Sequence, residues 1–163
     1  MSLVISWFWA FVLTQVLEMP IYLVALGRRA DPRSGEPLAP ESLRWRLGFA
    51  FLASMATHPY VWFVIAPLMY SRLWSEVVAG WPALAGWHYP LFFVVAESFA
   101  VVAEGLLLRA LRVPRALLWA LAANATSAGV GLLLNLLGLY GGAARPWRVT
   151  GARRGGKMAG RGG

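Results

Sequence analysis

One stretch constrains this chain more than any other. It runs from His88 to Arg109 and reads HYPLFFVVAESFAVVAEGLLLR. Between Tyr89 and Leu108 its only charges are Glu97 and Glu104. Twenty mainly apolar residues of helix, at about 1.5 Å each, cover the roughly 30 Å of a hydrocarbon core. Glu97 falls near the middle of that span. A carboxyl group held there is costly, so an acid at that depth marks a functional site by default.

The rest of the chain repeats the pattern. Of its 163 residues 59% are hydrophobic and only 13% charged, against about 25% charged in ordinary soluble domains. A first span is expected over Leu3 to Leu26, a second over Leu47 to Tyr70, the third over Tyr89 to Arg109 and a fourth over Arg115 to Tyr140. The first is read as a retained span, because no basic region precedes it and its apolar run is too long for a signal sequence. Pro20 and Pro59 each remove one helix hydrogen bond, leaving the carbonyls of Val16 and Met55 open. Gly27 to Arg46 is a polar loop with Pro32, Gly35, Pro37 and Pro40, which argue against regular structure for most of it. Ser71 to Trp87, with three tryptophans, suits a short interfacial helix or re-entrant piece. Pro114 suits an early helical position of the fourth span. Ala143 to Gly163 is a basic, Gly-rich tail expected to be disordered. The expected fold is therefore all-α, a polytopic integral membrane protein with four transmembrane helices in an antiparallel bundle. No internal repeat is visible.

Counting depth along each span puts five polar residues in one half of the bilayer: Glu18, His58, Glu97, Glu104 and Asn124. That half is the one facing the Arg-rich links, Gly27–Arg46 and Arg109–Arg115. Glu97 and Glu104 are seven apart and point the same way. Antiparallel neighbours would gather the five into one polar intramembrane cluster. Glu18, His58, Glu97 and Glu104 have the residue types of a metal site, and a divalent metal ion is the cofactor such a set would take. The Glu-x-x-His pattern of soluble carboxylate-bridged sites is absent. Asn124, Ser127, Ala128, Gly131 and Asn135 share one face of the fourth span, and this face is expected to pack on the third.

Each residue also has a plainer role. Glu104 would snorkel or pair with Arg109 or Arg112. Thr57 would bond its own helix backbone. Asn135, in the opposite half, would be packing glue. Ser98 and Ser127 make no triad with the single intramembrane His58, so no catalytic residue is assigned. The chain has no cysteine, which excludes disulfides, thiolate metal sites and cysteine nucleophiles.

Composition bears on partners and place. The net charge is +8, carried mostly by arginines outside the apolar segments. Such clusters meet anionic lipid head groups. No nucleic-acid-reading motif accompanies them, so nucleic acid is not an expected partner. The Arg bias and the Ala, Gly and Trp richness point to a GC-rich bacterial gene and hence to the cytoplasmic (inner) membrane. Short-loop charges favour the two Arg-rich links in the cytoplasm and both termini outside, against Arg72 and the tail cations from Arg145 to Arg161. Three roles fit, in this order: a small integral subunit of a larger membrane complex, bound to other subunits or to itself; a proton- or metal-ion-translocating protein; and a membrane-embedded metalloenzyme.

Overall fold

The computed structural model describes residues 3–69 and 71–139. Tyr70, the end of the expected fourth span at Tyr140 and the basic tail lie outside the described residues. Six α-helices follow one another: α1 (Leu3–Leu26), α2 (Leu43–Tyr60), α3 (Ala66–Met69), α4 (Arg72–Gly80), α5 (His88–Ala110) and α6 (Ala116–Leu136). No strand occurs among the described residues; an isolated bridge pairs Ala30 with Pro37.

Four stretches are long and apolar enough to cross a membrane: Val4–Leu26, Leu43–Met69, Tyr89–Ala110 and Ala116–Leu136. α1 runs unbroken through Pro20. The second stretch starts four residues earlier than the hydropathy alone predicts. Ser42 caps α2, its Oγ accepting from the Trp45 amide at 3.2 Å, so the first turn carries Arg44, Trp45 and Arg46. Past Pro59 the stretch continues through a π-helical turn, Val61–Ile65, before α3. A proline that cannot donate and a local π turn that re-spaces the carbonyls belong together. Pro114 does not open α6. It lies in the turn before it, and the helix begins at Ala116 behind Arg115, whose φ is 55°.

Four long elements pack in a ring. α1 packs on α2 and α6, and α5 packs on the same two helices from the other side. The inward face of each is cut from small or polar residues at helical spacing: Gln15, Glu18, Tyr22 and Ala25 on α1; Ala50, Ala53, Ser54 and Thr57 on α2; Ala96, Ala100 and Glu104 on α5; Ala116, Ala120, Ala123 and Asn124 on α6. Many large apolar residues face outward, Val16, Phe51, Val94, Leu106, Leu118 and Leu133 among them, while Leu26 and Leu108 fill the Arg-rich end of the core. A third or less of each spanning stretch is buried within the protein. Small inward residues let the backbones approach closely. One close approach is at Gly105 on α5, where a Cβ would stand 2.5 Å from Leu117 Cδ2 and 3.3 Å from Leu117 Cα on α6. Gly131, expected to serve this purpose, has open space where its Cβ would be.

The Arg-rich end is stitched rather than loose. The Ala30 amide bonds Arg112 O at 3.0 Å, and Arg29 Nε donates to Leu111 O at 2.8 Å. Arg29 also pairs with Glu41 and lies over the Trp45 ring at 4.8 Å. The Gly27–Arg46 loop thus has more order than its prolines imply, because one arginine ties it to the α5–α6 turn. At the other end, α4 and a 3-10 helix over Pro82–Trp87 connect the second stretch to α5, in keeping with the short helix expected there.

Candidate functional site

At the centre of the ring two carboxyl groups are buried, Glu18 on α1 and Glu104 on α5, each 1% exposed. Helix geometry places what surrounds them. Tyr22 is one turn beyond Glu18; Ser54 and Thr57 share a face of α2; Asn124 and Ser127 share a face of α6. All four helices therefore contribute to one knot of side chains.

Each carboxyl oxygen has a partner. Ser54 Oγ lies 2.6 Å from Glu18 Oε2, and Ser127 Oγ lies 2.6 Å from Glu18 Oε1. Thr57 Oγ1 lies 2.7 Å from Glu104 Oε1. Tyr22 donates its hydroxyl to Glu104 Oε2, and Asn124 Nδ2 donates to the same oxygen at 2.5 Å. Asn124 also reaches Ala120 O at 3.0 Å and Tyr22 Oη at 3.4 Å. α1 and α5 stand on opposite sides of the ring, and the Tyr22–Glu104 bond joins them across its middle.

No cation among the described residues enters the knot. The salt bridge among the described residues is Arg29–Glu41, in the loop region. Glu104 does not pair with Arg109 or Arg112, since it faces inward and those arginines lie in the exposed end of α5 and the turn after it. Two adjacent carboxyl groups without a cation are electrically neutral only if each holds a proton.

The hydroxyls show where such protons would go. Thr57 Oγ1 lies 3.2 Å from Ser54 O as well as 2.7 Å from Glu104 Oε1. Ser127 Oγ lies 3.1 Å from Asn124 O as well as 2.6 Å from Glu18 Oε1. A hydroxyl has one proton and two lone pairs. It cannot donate to both neighbours at once. If Thr57 donates to Ser54 O, its oxygen accepts a proton from Glu104; if Glu104 is ionised, the same hydroxyl turns and donates to the carboxylate. Ser127 offers Glu18 the same choice. Each acid thus sits beside a rotor that suits either of its protonation states without moving a backbone.

His58 is not part of this knot. It is next in sequence to Thr57, and one residue turns a helix by about 100°, so it points away from the acids. Its ring lies among aromatic residues, with centroid distances of 5.4 Å to Phe11, 6.2 Å to Trp62 and 6.3 Å to Trp7. His58 Nε2 and Trp7 Nε1 are buried without a hydrogen bond among the described residues. The expected metal set of Glu18, His58, Glu97 and Glu104 is therefore not assembled. Among the described residues no group of three or more His, Asp or Glu side chains is placed to hold a metal ion. Glu97 stands two turns from Glu104 on α5, half-buried, and makes no hydrogen bond among the described residues. Asn124 and Ser127 of the expected packing face bond the acids, Ser127 reaching α1 rather than α5; Asn135 is exposed and takes no part.

Depth counting does not single out Tyr22, Ser54 or Gln15. The signal for Tyr22 is its i+4 position from Glu18, and for Ser54 its i−3 position from Thr57. Gln15, one turn before Glu18, is 8% exposed and neither amide atom has a partner among the described residues. Compared with known proteins, the chain matches no family model, no curated protein and no solved structure.

Proposed function

We propose that this chain is a multi-pass integral membrane protein, with four antiparallel spans, whose Glu18–Glu104 pair takes up and releases protons inside the bilayer. Proton translocation, alone or coupled to a solute, is the activity this arrangement serves. The cytoplasmic membrane of a bacterium, with the Arg-rich links on the cytoplasmic side, belongs to the same proposal. Apolar side chains face outward and polar ones inward, which suits lipid around the ring, where an unpaired polar group would cost several kcal/mol.

The observation that carries the reading is the pair of hydroxyl rotors. Thr57 and Ser127 each sit between a carboxyl oxygen and a backbone carbonyl. A structural network needs its acids in one state only. A proton site needs both states to be hydrogen-bonded, and this geometry provides for both. Intramembrane acids of this kind serve proton relays.

The test is proton flux into liposomes holding the purified protein, followed with an enclosed pH-sensitive dye. Glu18→Gln and Glu104→Gln should each abolish protein-dependent flux, while Glu36→Gln, in the exposed loop, should leave it intact. Flux that survives both core substitutions would remove the proposal.

One observation favours a second reading, a subunit bound to another membrane chain or to a second copy. Glu97 is half-buried near mid-span and lacks a hydrogen-bonding partner among the described residues. A carboxyl at that depth that looks partly outward would be satisfied by a polar group across a subunit contact. Here Glu97→Leu should split an oligomer that the native chain forms in mild detergent. A native chain that is monomeric at every concentration and co-purifies with no other membrane chain would remove this reading.

A further inference from the structure

The Arg-rich end of the protein carries an open groove of about 480 Å³, lined by Arg28, Pro114, Arg115, Leu118, Trp119 and Ala122. It lies where the end of α1 meets the start of α6. Three features give it a chemistry.

The first is charge without a counter-charge. Arg29 is fully engaged, with Leu111 O, Glu41 and the Trp45 ring as partners. Arg28 and Arg115 meet no acid among the described residues. The Arg28 guanidinium lies over the Trp119 ring at 5.2 Å, which holds a cation at the groove's rim. The second feature is a gradient of polarity. Both arginines are exposed, Arg28 just past α1 and Arg115 just before α6. Ala122 is seven residues further along α6, about 10 Å deeper, and the wall between is Leu118 and Trp119. The third is a firm base. The bonds of Ala30 and Arg29 to the α5–α6 turn fix the end of α1 against the start of α6, so the two sides of the groove keep their spacing.

A cationic mouth over an apolar wall fits an amphiphile with a phosphate head. A free phosphate would use the arginines and leave the wall idle; an uncharged lipid would do the reverse. We propose that the groove binds an anionic phospholipid, its phosphate between Arg28 and Arg115 and one acyl chain along Leu118, Trp119 and Ala122. This rests on the membrane reading above and adds to it a specific lipid seat.

The test uses the full chain purified in an uncharged detergent, with lipid binding read by native mass spectrometry. Phosphatidylglycerol should bind about thirtyfold tighter than phosphatidylcholine, whose choline cancels the phosphate charge, an effect in line with two arginines near an anionic head group. Arg28→Gln with Arg115→Gln should erase that preference, and Trp119→Leu should weaken it. Arg33→Gln with Arg44→Gln, outside the groove, should keep it. Circular dichroism checks that each variant keeps the native helix content. Equal binding of the two lipids, an unchanged preference in the Arg28/Arg115 variant, or displacement of the lipid by inorganic phosphate at equal concentration would each overturn the proposal. An alkaline wash of membranes separates the two failures. A chain that stays in the bilayer but shows no lipid preference refutes the groove alone; a chain that washes off refutes the membrane reading and the groove with it.

Discussion

Replacing Glu104 tests whether the central knot exists and which form of the acid it holds. Glu104→Leu keeps roughly the volume and removes the partner of three side chains, Tyr22, Asn124 and Thr57. Two of these have other acceptors: Thr57 reaches Ser54 O at 3.2 Å, and Asn124 reaches Ala120 O at 3.0 Å and Tyr22 Oη at 3.4 Å. Each loses only an interhelical bond, worth about 0.6 kcal/mol in a membrane protein. Tyr22 is fully buried and donates to Glu104, so its O–H is left without an acceptor at a cost of about 1–3 kcal/mol. The total is about 2–4 kcal/mol. Leucine recovers little of this, because the unfolded reference in detergent is already in apolar surroundings. Glu104→Gln differs. Its carbonyl accepts from Tyr22 and Asn124, and its amide donates to Thr57 Oγ1, as a protonated carboxyl would. The expected cost is below about 1 kcal/mol. Unfolding by SDS in mixed micelles, followed through the fluorescence of the nine tryptophans, measures both. A leucine variant as stable as the native chain would mean that the knot does not form. A glutamine variant as unstable as the leucine variant would mean that Glu104 is held as a carboxylate rather than as a protonated acid.

Other substitutions probe the packing and the loop. Gly105→Ile places its Cβ against the Leu117 backbone and should cost about 1–3 kcal/mol by forcing α5 from α6, whereas Gly131→Ala, with open space, should be neutral or stabilising by up to about 1 kcal/mol; the same unfolding assay distinguishes them. Gln15→Leu removes two buried amide atoms that lack a partner among the described residues and should leave stability unchanged or raise it by up to about 2 kcal/mol; a clear loss would show that the amide has a partner. The Asp31 carboxyl accepts from the Ser34 and Arg33 amides, which hold it below the usual carboxylate range. Its contribution to the turn is present above the unfolded value of about 4 and lost as pH falls through the lower folded value. Amide exchange at 33–36, corrected for intrinsic rates, should therefore quicken in acid in the native chain and show no such transition in Asp31→Ala.

Height is readable from the chain; azimuth is not. Counting along apolar runs locates four helical stretches and puts Glu18, Glu104 and Asn124 at compatible depths, because rise per residue is nearly constant. It cannot tell which way a side chain turns. His58 and Thr57 differ by about 1.5 Å in height yet face different neighbours. Thr57 bonds its own helix, as its residue type suggests, and that same bond gives its link to Glu104 two alternatives. Tyr22 is hard to single out because a tyrosine in an apolar run reads as an interface residue, though it is fully buried. Gly131 and Asn135 lie on the face that carries Asn124 and Ser127, but further along α6, past the knot. Spacing marks a face; it does not say how far along that face the contact extends.

Protons sitting on two acids that share a buried interior are what the proposed activity requires. Infrared spectroscopy of the protein in lipid bilayers at neutral pH reads this directly, through the carbonyl stretch that only a protonated carboxyl has. Native protein should show that band, and Glu18→Gln and Glu104→Gln should each remove part of it. A spectrum without the band, or one that neither substitution alters, would contradict the claim.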